Sequence, residues 1–148
     1  MKDIMMDDIH EALLETFRQE SSELLSELEA ALLELEASPD DAELINRVFR
    51  ALHTIKGNTA MFGFDKIEAM AHSTESLFDM IRKGRLGIHR EIIDLTLRSR
   101  DLIHRMLRDP DNRDYDREGE HLTTLFDELA SEGEKGASGG TDGKTRPK

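Results

Sequence analysis

The sequence contains no cysteine. That absence excludes disulfide frameworks, thiolate metal sites and cysteine nucleophiles together. No stretch approaches the ~18 apolar residues that a membrane span requires. The N-terminus has no basic-then-apolar signal pattern either, since Asp3, Asp7 and Asp8 appear almost at once. These absences point to a soluble, cytoplasmic protein. Basic charge is scarce: 20 lysines and arginines face 32 acidic residues, for a formal charge of −12. A field of that sign repels nucleic acid and anionic membranes, so neither is expected as a partner.

The charge that is present is uneven. Residues 1–40 carry twelve acids against Lys2 and Arg18, whereas residues 47–56 hold Arg47, Arg50 and Lys56 and no acid. A basic island in an acidic chain suits a specific anionic partner or group. It equally suits an ordinary solvated helix face.

Strand signals are absent, and a period of 3.6 runs through most of the 148 residues. The pattern predicts a first helix from about Asp8 to Ala37, with Ile9, Leu13, Phe17, Leu24, Leu28, Ala31 and Leu35 on its buried stripe. Ser38-Pro39-Asp40-Asp41 reads as an N-cap, a proline at the first helical position and acids in the first turn. The second helix then reaches about Ala60, buries Leu44, Val48, Leu52 and Ile55, and is closed by Gly63. Asp65 and Glu68 have capping-box spacing for a third helix to about Lys83, carrying Ile67, Met70, Ala71, Leu77, Phe78 and Ile81. A fourth helix follows from about His89 to Arg108, stopped by Asp109-Pro110 and using Ile92, Leu95, Leu102, Ile103 and Met106. A fifth, shorter helix carries Leu122, Leu125, Phe126 and Leu129. The expected fold is all-α: an antiparallel, up-down four-helix bundle over residues 1–132, with the fifth helix on its side or end. Glycines at 133, 136, 139, 140 and 143 mark residues 133–148 as a flexible, disordered linker or tail.

The segment from His53 to Phe64, His-Thr-Ile-Lys-Gly-Asn-Thr-Ala-Met-Phe-Gly-Phe, is the most informative. At ~100° per residue, Leu44, Val48 and Ile55 lie on the opposite side of the helix from His53. His53 therefore projects outward, beside Arg50, Lys56, Gly57 and Ala60. A glycine inside a helix costs about 1 kcal/mol relative to alanine. Small residues at 57 and 60 would let another protein approach the imidazole; alternatively, Gly57 marks an early helix end. On the next helix His72 and Glu75 share a face, three residues apart. A nucleophilic histidine needs one ring nitrogen unprotonated and aimed outward. A carboxylate on the other nitrogen fixes that tautomer and raises the basicity of the first. Glu75 suits that role, Lys56 suits the charge of an entering phosphoryl group, and His72 suits bridging or orienting the others. His53, His72 and Glu75 could also supply a two-His, one-carboxylate set for zinc. Lys56 argues against it, because an ammonium beside the site repels a dication. A ferritin-like carboxylate site is weaker still, since Glu118-x-x-His121 occurs once and such sites need the pattern on two helices plus further glutamates.

These residues resemble a known family. His53 to Phe64, then Met70-Ala71-His72-Ser73-Thr74-Glu75-Ser76-Leu77 and Arg82-Lys83-Gly84, are similar to the N-terminal phosphotransfer domain of the chemotaxis histidine kinase CheA. The likeness spans roughly residues 9–107. It implies that His53 is the phosphoacceptor, with Lys56, His72 and Glu75 as its supporting network. It implies an ATP-binding kinase domain as donor and receiver-domain response regulators as acceptors. ATP and Mg²⁺ would then belong to those partners, with no cofactor or metal on this chain. The contact face is expected around Arg50, Gly57 and Ala60. Two departures stand out. His89 occupies a helix-capping position that normally takes Asn, Ser, Thr or Asp. No nucleotide-binding glycine motif, dimerisation domain or coupling domain follows, so a fragment cut within an interdomain linker, or a stand-alone carrier, is expected.

Overall fold

Leucine, alanine and glutamate, the strong helix formers, dominate the first forty residues. In the computed structural model, which describes residues 2–138, they form α1 (Lys2–Ala37). It is followed by α2 (Ala42–Met61), α3 (Asp65–Arg82), α4 (Arg90–Arg108) and α5 (Asp114–Ser138). The described residues contain no strand, and none of their helices is long and apolar enough to cross a membrane. α1 to α4 form the expected bundle, each helix beside its chain neighbours and α4 closing back on α1. α5 lies chiefly against α3 and also touches α4. One core joins them, with Leu28, Leu32, Val48, Ile55, Leu77, Phe78, Leu102, Ile103, Leu122 and Phe126 all at or near zero exposure.

The elements differ from expectation in several places, beginning with α1, which starts at Lys2 rather than about Asp8. Ser38 and Pro39 do not start α2. The Ser38 amide bonds back to Glu34 at 3.1 Å, and Asp41 is the N-cap, its carboxylate accepting from the amides of Glu43 and Leu44. Asp65 and Glu68 do not form a capping box, because Asp65 is already the first helical residue and Phe64 the cap; their charges still favour the positive end of the helix. Ile9 and Leu13 do not join the buried stripe of α1 and are 53% and 55% exposed. Among the described side chains of α1, Phe17 is the fully buried one nearest the N-terminus, stacked on Phe62 and Phe64 of the α2–α3 turn. Leu14 is half-buried against the core and the His10 ring lies 6.4 Å from that of Phe62, while α4 ends near Arg18. Finally, α5 is not short. It continues through Gly133, which is buried and so close to Met80 that a Cβ there would lie 2.7 Å from its sulfur. That glycine is a packing residue between α5 and α3 rather than the start of a tail; residues 139–148 lie outside the described residues.

His89 caps α4 with extended backbone and no side-chain bond, in keeping with its unsuitable chemistry. Gly63 and Gly84, at φ +80° and +78°, make the turns that end α2 and α3. The important consequence concerns α2. Burial of Leu44, Val48, Leu52 and Ile55 fixes its rotation and leaves Phe49, His53 and Lys56 along the seam with α3.

Candidate functional site

α3 buries Ala71, Thr74, Leu77 and Phe78, and the same face carries the carboxylate of Glu75 inward. Its side chain is 10% exposed. An unpaired carboxylate at that depth would be costly. Both of its oxygens are answered from α2: Lys56 Nζ lies 2.7 Å from Oε1 and His53 Nδ1 lies 2.6 Å from Oε2. Burial works to raise the Glu75 carboxyl, but the hydrogen bonds from Lys56 and His53 outweigh it and hold the group below its ordinary range.

The proton on His53 follows from this. An ionised carboxylate only accepts hydrogen bonds, so the 2.6 Å contact requires Nδ1 to carry the hydrogen. In the neutral ring the lone pair is then on Nε2. The His53 side chain is 63% exposed, so the ring is available to a partner from solvent. A buried acid anchors one nitrogen while the other is free to react. This arrangement has the chemistry an oriented nucleophile needs.

The remaining predicted residues divide clearly. Gly57 and Ala60 are exposed within α2, which runs on to Met61, so Gly57 is not an early helix end. A Cβ at 57 would meet nothing within 4 Å. Arg50 is also open, with a loose 3.9 Å approach to Glu43. Arg47, part of the basic island, is tied across to α1 by Glu27 at 2.8 Å and Glu34 at 3.7 Å, and so serves the fold. His72 sits one turn before Glu75 but is exposed, and among the described residues no hydrogen bond joins it to His53, Lys56 or Glu75. Nor do the described residues contain a group of three or more histidines and acids disposed to hold a metal ion. Glu75 is already occupied by an ammonium, so the zinc reading has no geometric support.

Two neighbours escaped the sequence reading. Phe49 stacks beside the His53 ring, with centroids 6.2 Å apart and planes 16° from parallel. Arg82 lies over Phe49, its Cζ 4.1 Å from the ring centroid, and donates to Asp79 at 2.9 Å. The signals were present: Phe49 precedes His53 by four residues and Arg82 follows Glu75 by seven, so each shares its neighbour's face.

The His53 ring stands at the surface. A 560 Å³ cleft, lined by Gly63, Phe64, Lys66 and Asp116 among others, does not include it.

Known proteins resemble the chain in sequence and in fold. Residues 12–132 match the model of the Hpt domain family. The sensor histidine kinase CheAY of Helicobacter pylori is 38% identical over 102 residues, 69% of this chain and 13% of that protein. The chemotaxis protein CheA of Salmonella typhimurium is 39% identical over 93 residues, 63% of this chain and 14% of that protein. The chain thus spans a small part of these relatives. Among solved structures, the CheA phosphotransferase domain of Thermotoga maritima is similar at TM-score 0.66 and 37% identity, covering 70% of this chain and 98% of that one. The phosphorylated P1 domain of CheA3 in complex with CheY6 from R. sphaeroides gives 0.68 and 29%, covering 84% and 97%.

Proposed function

The chain belongs to the Hpt domain family, and from that premise we propose that it is a phosphoryl carrier of the chemotaxis-kinase type whose acceptor is His53. The observation that carries this reading is the 2.6 Å contact of His53 Nδ1 with the buried Glu75 carboxylate, which leaves the Nε2 lone pair for attack. The donor is the ATP-binding domain of a histidine kinase, which brings ATP and Mg²⁺. Nε2 attacks the γ-phosphorus, the bond to the bridging oxygen breaks, and ADP leaves with that electron pair. Positive charge grows on the ring, and the ionised Glu75 at Nδ1 stabilises it. Lys56 holds Glu75 in place and lowers the cost of bringing the phosphoryl charge nearby. His72, one turn along α3, adds a polar group at the edge of the approach.

The acceptor is an aspartate of a response-regulator receiver domain. Its oxygen attacks phosphorus in line, the N–P bond breaks, and the electron pair returns to the imidazole. The complex of the R. sphaeroides relative with CheY6 supports a receiver as partner. Arg50, Gly57 and Ala60 form the contact face, the glycine and alanine allowing approach. ATP as the phosphoryl source suits a cytoplasmic location.

The test combines the purified chain, the ATP-binding domain of a chemotaxis-type kinase and γ-labelled ATP with Mg²⁺. Acid-labile label is expected on the parent and none on His53→Gln, with helical content unchanged because the side chain is exposed. Label persisting on the variant would move the acceptor role to another histidine, His72 first.

A further inference from the structure

A hydrogen bond to Glu75 selects the tautomer of His53, yet it leaves an exposed ring free to swing about the Nδ1···Oε2 axis. Attack in line needs the plane fixed as well, because the Nε2 lone pair lies in that plane. Phe49 supplies a near-parallel surface one helical turn before His53. It is half-buried against the core and covered by the Arg82 guanidinium. Arg82 is itself held: Asp79 accepts from its Nε at 2.9 Å and receives Lys83 at the same distance. A row of side chains, Asp79, Arg82, Phe49 and His53, therefore runs along the α2–α3 seam to the reactive ring. Glu75 and Lys56 flank the ring across the seam and one turn further along α2.

We propose that Phe49 and Arg82 are positioning residues for phosphoryl transfer, holding the plane of the His53 imidazole so that Nε2 faces an incoming partner. The inference rests on the phosphotransfer reading of His53 and adds to it two residues that act through that ring. Arg82 and Asp79 are only partly buried, and exposed ion and cation–π pairs add little stability. Their alignment next to the nucleophile is better accounted for by orientation than by folding. A planar guanidinium can lie flat on Phe49, whereas a lysine ammonium makes only a point contact.

The experiment compares Phe49→Leu, Phe49→Tyr, Arg82→Ala and Arg82→Lys. The first reading is the NMR relaxation order parameter of the His53 ring Cε1–Hε1 bond in the unphosphorylated chain, with the ring-nitrogen shifts as a control that the Glu75 bond persists. The second is the rate of phosphorylation by the ATP-binding domain of a chemotaxis-type kinase with ATP and Mg²⁺. Phe49→Leu should lower the ring order parameter, leave the ring-nitrogen shifts at the parent tautomer, and slow phosphorylation on the order of tenfold. Melting temperature should scarcely change in the Arg82 variants. Phe49→Tyr should restore ring order and rate, and Arg82→Ala should be more impaired than Arg82→Lys. An unchanged ring order parameter in Phe49→Leu, or its phosphorylation at the parent rate, would overturn the proposal. If the parent itself takes no label at His53, the carrier reading fails, while the ring order parameter still decides whether Phe49 and Arg82 orient the imidazole.

Discussion

Two seams of the bundle each bury a charged side chain, and they treat it differently. Between α1 and α4, Arg100 is 15% exposed and donates to the Leu25 carbonyl at 3.0 Å and to Asp101 at 2.7 Å, with Glu29 at 3.8 Å. These partners are a backbone carbonyl and carboxylates that have no further chemistry to offer. Between α2 and α3, Glu75 is 10% exposed and also satisfied, by Lys56 and His53. One of its partners is an imidazole with a second nitrogen, and that ring faces solvent. The depth of a buried charge is therefore a poor guide to reactivity. The distinguishing feature is a partner that passes the effect of the charge on to an exposed atom.

Removing Glu75 should break this contrast most sharply. Glu75→Ala is expected to slow phosphorylation of His53 by roughly 10²–10⁴, without abolishing it, because the carboxylate orients the ring and forms no bond to phosphorus. An unchanged rate would mean that the carboxylate does not govern the imidazole. Glu75→Gln sharpens the point through stability. A carboxyl held below its ordinary value stabilises the fold above that value, and the contribution is lost as pH falls through the folded one. The parent should therefore lose stability below about pH 4.5, and Glu75→Gln should lose less of it over the same window. Thermal melts across pH 3–7, about four units, would show whether the acid limb flattens.

Gly57→Leu changes the approach to the same nucleophile without touching its hydrogen bond. A Cβ there meets nothing within 4 Å, and leucine is the better helix former by roughly 0.8 kcal/mol. The variant should melt slightly higher than the parent yet pass its phosphoryl group to a receiver on the order of ten times more slowly or worse. Transfer at the parent rate would place the receiver-docking face elsewhere.

Legibility from the sequence followed the range of the forces involved. Helix number, the up-down bundle and most of the core were readable, because periodicity reports burial directly; Ile67, Met70, Leu77, Leu102 and Phe126 are all inside. His53 and Glu75 were readable because side-chain direction within a helix follows from residue number. Residues dependent on what faces them were not. Ile9 and Leu13 continue the apolar stripe of α1 in sequence, yet both are left exposed. Gly133 looked like a linker residue because its packing against Met80 is invisible locally. His72 carried the right chemistry and spacing, yet its ring makes no hydrogen bond to the pair it was expected to bridge.

On the other seam, Arg100→Met should produce the opposite pattern to Glu75→Ala. It removes charge-assisted donors at a mostly buried position while keeping an apolar stem, so a loss of about 1–2 kcal/mol in stability is expected. The phosphorylation rate should remain that of the parent. Denaturant melts and the labelling assay on one preparation would read both, and a slowed rate would show the two seams to be coupled.

The smallest effect is expected from Arg50. Its side chain is 62% exposed, and its nearest acid, Glu43, lies 3.9 Å away. A pair that open is screened and adds little to stability. It lies one turn before His53, on the face proposed to meet a receiver whose phosphoacceptor pocket is acidic. Its contribution should thus lie in encounter, where opposite charges steer association over about a Debye length. Arg50→Glu replaces attraction with repulsion and should slow association several-fold at about 0.01 M salt, where that length is ~30 Å. At about 0.5 M salt the difference from the parent should nearly vanish, while the rate of transfer within a preformed complex stays constant throughout. Stopped-flow measurement of phosphoryl loss from His53 over a range of receiver concentrations separates these two quantities. A deficit that persists undiminished at high salt would mean that Arg50 makes a direct contact in the complex, and steering would be the wrong account of it.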